Sequence, residues 1–171
     1  MLFRSGCNEA GPTFAAMSTL HFAYGANMSR AVMRKYAPGA HPLGVAELAG
    51  HRFMITADGY ASIEPTRAQT VHGVLWRITP RDRVLLDAWE NVGGGLYRAE
   101  ILPVRGAGGR TAALVYFARP GAEGRPKPGY IELVVAAARE WDLPQSYIRA
   151  LETWRATRPL GPDARKIGEF R

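Results

Sequence analysis

The chain has 171 residues, of which 47% are hydrophobic and 22% charged, and a formal net charge of +7. This length predicts one compact domain, and no apolar run approaches the ~20 residues of a membrane helix, so we expect a soluble protein with no membrane partner. The basic residues are scattered, which argues against nucleic acid as a partner and favours a mild attraction for a small anionic substrate. Because Cys7 is the single cysteine, we expect no disulfide framework and a cytoplasmic location.

We expect the folded domain to begin at Met17, just before the first convincing strand. Residues 1–16 contain one arginine and no apolar core of signal-peptide length, so they are predicted to be a loose N-terminal extension. The domain is then expected at 17–157 and a C-terminal tail at 158–171.

Short strands dominate the first half of the predicted domain. An apolar run at 20–24 ends in a glycine and predicts a buried strand that leads into a tight turn. Ser29 is a suitable N-cap for a short helix to residue 35. Further strands are predicted at 43–48, 51–56, 60–63 and 71–78, with a turn at 58–59. Within the last strand, Gly73 indicates a position where backbone or ligand must come close.

Three signals agree on a helix from Pro80 to about Glu90: proline at the first helical position, Thr79 as its cap, and Asp82 in the capping-box position. A hairpin follows, with strands at 96–104 and 111–117, and then a loop and two helices at 130–141 and 144–154. This order predicts an α+β fold, with a mixed, mostly antiparallel sheet that forms a barrel and a few flanking helices.

Familiar metal, hydrolase and phosphate-binding motifs are missing from the sequence. The histidines lack metal-ligand spacing, no GxSxG elbow occurs, and the glycines at 93–95 follow a helix instead of preceding one. We therefore expect no metal ion and no other cofactor. The four histidines are His21, His41, His51 and His72.

The turn Tyr24-Gly25-Ala26-Asn27 is the first candidate site. A glycine and then a residue that tolerates left-handed geometry lie between a strand and a helix, so successive backbone N–H groups can point into one concave site. Such a site binds a carboxylate or an oxyanion. An ordinary strand-to-helix connection is the alternative.

Glu90 is the second candidate. It lies at the negative end of a helix dipole beside Trp89 and a run of glycines, and both the dipole and partial desolvation are expected to raise its pKa. A raised pKa suits a general base that works near neutral pH. The alternative is a solvated glutamate at a helix terminus.

Together these segments resemble one family. Tyr24-Gly25-Ala26-Asn27-Met28 resembles the YGSN-type signature of γ-glutamylcyclotransferases, and residues 86–93, followed by Leu96-Tyr97, are similar to the segment around that family's catalytic glutamate. Residues 71–76 are similar to the strand that precedes it. The resemblance covers about residues 19–154. It implies an enzyme that releases 5-oxoproline from a small-molecule γ-glutamyl substrate, and we expect a monomer or homodimer.

The resemblance also implies roles for single residues. Glu90 matches the catalytic acid-base residue, and the backbone from Tyr24 to Asn27 matches the loop for the γ-glutamyl group. Ala26 replaces the usual serine, so a hydroxyl contact is lost while the backbone donor remains. The pocket tyrosines are matched by Tyr97, Tyr116 and Tyr130. Their alternative role is core packing with a satisfied hydroxyl, which applies most to Tyr116.

Three other functions stay open at this point. One is an enzyme of the same fold that acts on γ-glutamylamines, and another is a non-catalytic ligand-binding member of the fold. The third is a basic nucleic-acid-binding barrel with Trp76, Tyr97 and Arg98 as its stacking surface.

Overall fold

The structure, a computed structural model, describes residues 18–155. The expected N-terminal extension, 1–16, and C-terminal tail, 158–171, lie outside the described residues, as do positions 17, 156 and 157 of the expected domain. Within the described part of the chain, no helix is both long enough and apolar enough to cross a membrane.

Five strands form a closed barrel in the order β1, β3, β2, β4, β5. The strands are β1 (Thr19–Ala23), β2 (His41–Ile55), β3 (Ala61–Ile78), β4 (Tyr97–Gly106) and β5 (Gly109–Ala118). Neighbouring strands pair antiparallel, except that β1 and β5 pair in parallel. The predicted α+β fold with a mixed, mostly antiparallel barrel is therefore confirmed.

Four α-helices flank the barrel, and two of them start at the predicted caps. The Val32 N–H donates to the Ser29 side chain, and Thr79 and Asp82 form a reciprocal capping box. The helices are α1 (Arg30–Tyr36), α2 (Pro80–Trp89), α3 (Tyr130–Glu140) and α4 (Gln145–Glu152), with short 3-10 turns at Ala26–Met28 and Thr153–Arg155.

The predicted division of the first hairpin into four strands was wrong. The segments predicted at 43–48 and 51–56 belong to the single strand β2, and those at 60–63 and 71–78 belong to β3. The pairing shifts register between Ala49 and His51, and Pro65 lies opposite His51 at that irregularity. A bulge tolerates a residue without an N–H group, so the strand continues through the proline.

Gly73 lets two strands come close beside the end of β1. A Cβ at this position would lie 2.2 Å from the carbonyl oxygen of Ala23 and 3.0 Å from the ring of Phe22. The sequence left open whether backbone or ligand comes close there, and the structure shows that it is backbone.

The turn after β1 is also tied to the end of α3. The indole N–H of Trp141 donates to the carbonyl of Met28 at 2.8 Å, and the guanidinium of Arg30 lies 3.7 Å from the Trp141 ring centroid. Phe22, Met28 and Val134 are fully buried in one common core, where each apolar side chain of this size contributes ~1.5–3 kcal/mol. This packing fixes the turn relative to the barrel.

Candidate functional site

A cavity of about 550 Å³, including its open mouth, lies where β1 ends. The eight site residues expected from the sequence all line it: Tyr24, Gly25, Ala26, Asn27, Glu90, Tyr97, Tyr116 and Tyr130. The remaining lining residues are His21, Phe22, Ala23, Tyr60, Ala61 and Trp89.

The turn after β1 is a single turn of 3-10 helix. The N–H groups of Met28 and Ser29 donate to the carbonyls of Gly25 and Ala26, each at 3.0 Å. Positive φ values of non-glycine residues occur at Asn91 and Asp142 among the described residues, so Asn27 does not use the left-handed geometry that asparagine tolerates.

Glycine at position 25 avoids a tight steric contact. Gly25 has a φ of −114°, so its backbone angle does not demand glycine. A Cβ there would lie 3.0 Å from the Tyr130 hydroxyl oxygen and 3.1 Å from the Cβ of Ala61. The absence of a side chain therefore lets the turn come close to the start of β3 and to α3.

Glu90 and the turn are in direct contact. Glu90 is the C-cap of α2, with its N–H bonded to the carbonyl of Leu86 at 2.8 Å. The amide nitrogen of Asn27 donates to Glu90 Oε1 at 2.9 Å, although the two residues are 63 positions apart. Asn27 and Glu90, which were predicted as site residues from separate segments of the sequence, thus form one half-buried pair. The raised pKa expected for Glu90 stays a prediction.

Two tyrosine hydroxyls hold the backbone of Ala61, the first residue of β3. Tyr97 donates to the carbonyl of Ala61 at 2.8 Å, and the N–H of Ala61 donates to the Tyr130 hydroxyl at 3.1 Å. Tyr24 donates to the carbonyl of Tyr116 at 2.5 Å, and burial raises the pKa of Tyr24 well above its usual value. The tyrosine rings line the cavity while their hydroxyls bond to the backbone of β3 and β5.

Tyr116 connects the cavity to α2. Its hydroxyl donates to Asp87 Oδ1 at 2.7 Å, and Arg83 Nε lies 2.8 Å from each carboxylate oxygen of Asp87. Burial, and after it the hydrogen bond to Asp87, raises the pKa of Tyr116. The alternative role of Tyr116, core packing with a satisfied hydroxyl, required a protein partner for that hydroxyl, and Asp87 is this partner. Nothing in the sequence indicated this role of Asp87 beyond its place three residues before Glu90.

His21 is a cavity residue that the sequence considered only as a metal ligand. It is 1% exposed, and its Nδ1 lies 3.2 Å from the carbonyl of Leu114, which can only accept, so Nδ1 carries the hydrogen. Burial lowers the pKa of His21 to about 4. The ring is therefore neutral near pH 7, and its Nε2 is a hydrogen-bond acceptor.

Two buried acceptors in this cavity have no protein partner. Among residues 18–155, neither His21 Nε2 nor Asn27 Oδ1 accepts a hydrogen bond. A buried acceptor left unpaired costs ~1–3 kcal/mol, so a bound donor at either atom would recover stability. Within the same described residues, no group of three His, Cys, Asp or Glu side chains could hold a metal ion.

An open groove adjoins the cavity. It has a volume of about 930 Å³, including open solvent, and it shares Tyr60 and Trp89 with the cavity. Its other lining residues are Asp58, Ala88, Asn91, Leu96 and Lys127. The sequence did not indicate it, because its walls come from three segments distant along the chain.

The stacking surface considered for nucleic acid does not form. Trp76 is 3% exposed and Tyr97 is 6% exposed, and the Trp76 ring packs edge-on against Trp141. Since bases stack only on accessible rings, these two side chains cannot serve that purpose.

Residues 70–151 match the AIG2-like family. Among solved structures, a gamma-glutamyl cyclotransferase superposes with a TM-score of 0.76 at 23% identity, covering 88% of this chain and 97% of its own. An uncharacterized protein from Homo sapiens, loc79017, gives a TM-score of 0.76 at 24% identity, covering 88% and 98%. YkqA from Bacillus subtilis gives 0.72 at 25% identity, covering 84% and 56%. No curated protein sequence matches the chain.

Proposed function

Because the chain is γ-glutamylcyclotransferase-like in fold and sequence pattern, we propose that it releases 5-oxoproline from a γ-glutamyl compound. The observation that carries the proposal is the hydrogen bond between Asn27 and Glu90, two residues that line the same cavity. A carboxylate held in this way has a fixed position from which it can exchange a proton with a bound ligand.

The proposed reaction is an intramolecular acyl transfer. The α-amine of the substrate attacks its own γ-carbonyl, the new C–N bond closes a five-membered lactam, and the old C–N bond breaks to release an amine. An ammonium has no lone pair for the attack, so a base must first remove a proton, and we assign this step to Glu90. The same carboxyl group then returns the proton to the departing nitrogen.

The surrounding residues are suited to supporting roles. In the turn at Ala26–Met28, the N–H groups of Ala26 and Asn27 have no partner within the turn, so they are candidate donors to an oxyanion. Each well-aimed donor of this kind contributes ~3–4 kcal/mol. Asn27 Oδ1 can accept a hydrogen bond from the substrate ammonium. Tyr24 and Tyr116 resist ionisation because burial raises their pKa values, so neither competes with Glu90 as the base.

Replacing Glu90 with glutamine tests the assignment. Glu90→Gln keeps the size and the hydrogen-bonding capacity of the side chain but removes its proton-transfer chemistry. We expect it to abolish release of 5-oxoproline from a panel of γ-glutamyl amino acids and γ-glutamylamines while the melting temperature is unchanged.

The matched control is Glu140→Gln, since Glu140 also lies at the C-terminal end of a helix but is exposed and pairs with Arg30. This variant should keep wild-type turnover. Wild-type turnover by Glu90→Gln would refute the catalytic assignment. Wild-type protein that releases 5-oxoproline from no member of the panel would refute the enzymatic proposal and favour a ligand-binding role.

A further inference from the structure

The groove beside the cavity has the right position to receive the leaving group of the proposed reaction. Trp89 and Asn91, the chain neighbours of Glu90, both line it. In the proposed function, on which this inference rests, Glu90 must reach the departing nitrogen. The substituent on that nitrogen therefore leaves the cavity next to Glu90 and enters the groove.

Close packing of a loop against a hairpin positions Lys127 at this groove. The Lys127 N–H donates to the carbonyl of Gly59 at 3.1 Å. Gly59 has a φ of +85°, and a Cβ there would lie 2.8 Å from Lys127 Cγ and 2.9 Å from its nitrogen. The tip of the β2–β3 hairpin thus accepts the loop only because residue 59 has no side chain.

The ammonium of Lys127 lies at the border between the cavity and the groove. Lys127 Nζ donates to the Tyr60 hydroxyl at 2.8 Å and lies 4.4 Å from the centroid of its ring. Tyr60 lines both the cavity and the groove. Among the described residues that line the groove, Lys127 is the cationic one and Asp58 the anionic one.

We propose that Lys127 binds the carboxylate of an amino-acid leaving group and so favours γ-glutamyl amino acids over γ-glutamylamines. In a γ-glutamyl α-amino acid, the carboxylate is attached to the carbon that bears the scissile nitrogen. It would therefore emerge from the cavity at the border where Lys127 Nζ lies. A simple amine carries no carboxylate and gains nothing from this cation.

Two substrates that differ only in the carboxylate test the inference: γ-glutamylalanine and γ-glutamylethylamine. Release of 5-oxoproline gives kcat/KM for each with wild-type protein, Lys127→Met and Lys127→Arg. We expect the wild type to prefer γ-glutamylalanine, and Lys127→Met to reduce that preference roughly threefold to tenfold, mainly through KM, as suits an ion pair at an exposed rim. Lys127→Arg should retain most of it.

Two controls separate this role from a general effect of charge or folding. Lys35→Met removes another lysine that lies over a tyrosine, with Nζ 4.8 Å from the Tyr36 ring centroid, and it should leave the preference unchanged. Added salt should reduce the wild-type preference and have less effect on Lys127→Met, since screening acts on the proposed ion pair.

The outcomes distinguish the inference from the function beneath it. Turnover of both substrates with the same preference in wild type and Lys127→Met refutes the inference and leaves the proposed function standing. A wild-type preference for γ-glutamylethylamine also refutes the inference about Lys127 and leaves the proposed function standing. Wild-type protein that converts neither substrate refutes the proposed function, and the inference fails with it.

Discussion

Replacing Gly73 with alanine should destabilise the barrel at the strand that leads into the cavity. The new Cβ would lie 2.2 Å from the carbonyl oxygen of Ala23, so β1 and β3 must separate by most of an ångström where they pair. Overpacking of this kind costs ~1–3 kcal/mol. At roughly 2–4 °C per kcal/mol for a domain of this size, the melting temperature should fall by about 4–8 °C for a cost near the middle of that range.

Thermal unfolding monitored by circular dichroism measures this change. The control is Gly108→Ala, because a Cβ at Gly108 meets nothing within 4 Å and that glycine lies in the exposed β4–β5 turn. The control should melt within about 1 °C of the wild type. If Gly73→Ala melts together with Gly108→Ala, the close approach of backbone at Gly73 does not limit stability and the reasoning is wrong.

Three further predictions concern stability. The pKa of His21 is lowered from 6.5 to about 4, so the unfolded chain binds a proton at this histidine at a higher pH than the folded protein does, and stability falls as the pH drops through that range. In urea titrations, the free energy of unfolding of the wild type should fall by ~3 kcal/mol more than that of His21→Phe between those pH values, and equal losses would contradict this. Asp82→Ala removes the half of the α2 capping box that accepts from the Thr79 N–H, and it also removes the acceptor for the Gly39 N–H, so the free energy of unfolding should fall by ~2–4 kcal/mol. A loss no larger than the ~1 kcal/mol of a simple cap would show that the Gly39 contact contributes nothing. Tyr97→Phe should cost ~1 kcal/mol in the same assay, through its lost bond to the Ala61 carbonyl, and an unchanged midpoint would count against that bond.

Local chemistry in the sequence was enough to predict most element boundaries. The caps of α1 and α2 depend on residues three positions apart, so Ser29, Thr79 and Asp82 indicated both helix starts without any tertiary information. The lengths of β2 and β3 could not be predicted in the same way. The breaker Pro65 is tolerated because it lies at an irregularity in the pairing of β3 with β2, and that pairing is absent from a local pattern.

The candidate site shows the same division. The turn residue Asn27 and the helix-end residue Glu90 could be found from short segments, and the structure brings them within 2.9 Å. His21 and Lys127 could not be found in this way. His21 matters because it is buried against β5, and Lys127 matters because it contacts the β2–β3 hairpin, and neither contact is visible in a short segment of sequence.

The pairing of β1 with β5 has a consequence for the order of events during synthesis. His21 contacts Leu114 across 93 residues of chain, and Tyr130 contacts Ala61 across 69. The long β2–β3 hairpin needs only neighbouring residues and can form as soon as it leaves the ribosome, whereas β1 must wait for β5 before the barrel closes. The cavity is therefore completed only after β5 and α3 have been synthesised, and a nascent chain that stops before β5 has the β2–β3 hairpin but no closed barrel.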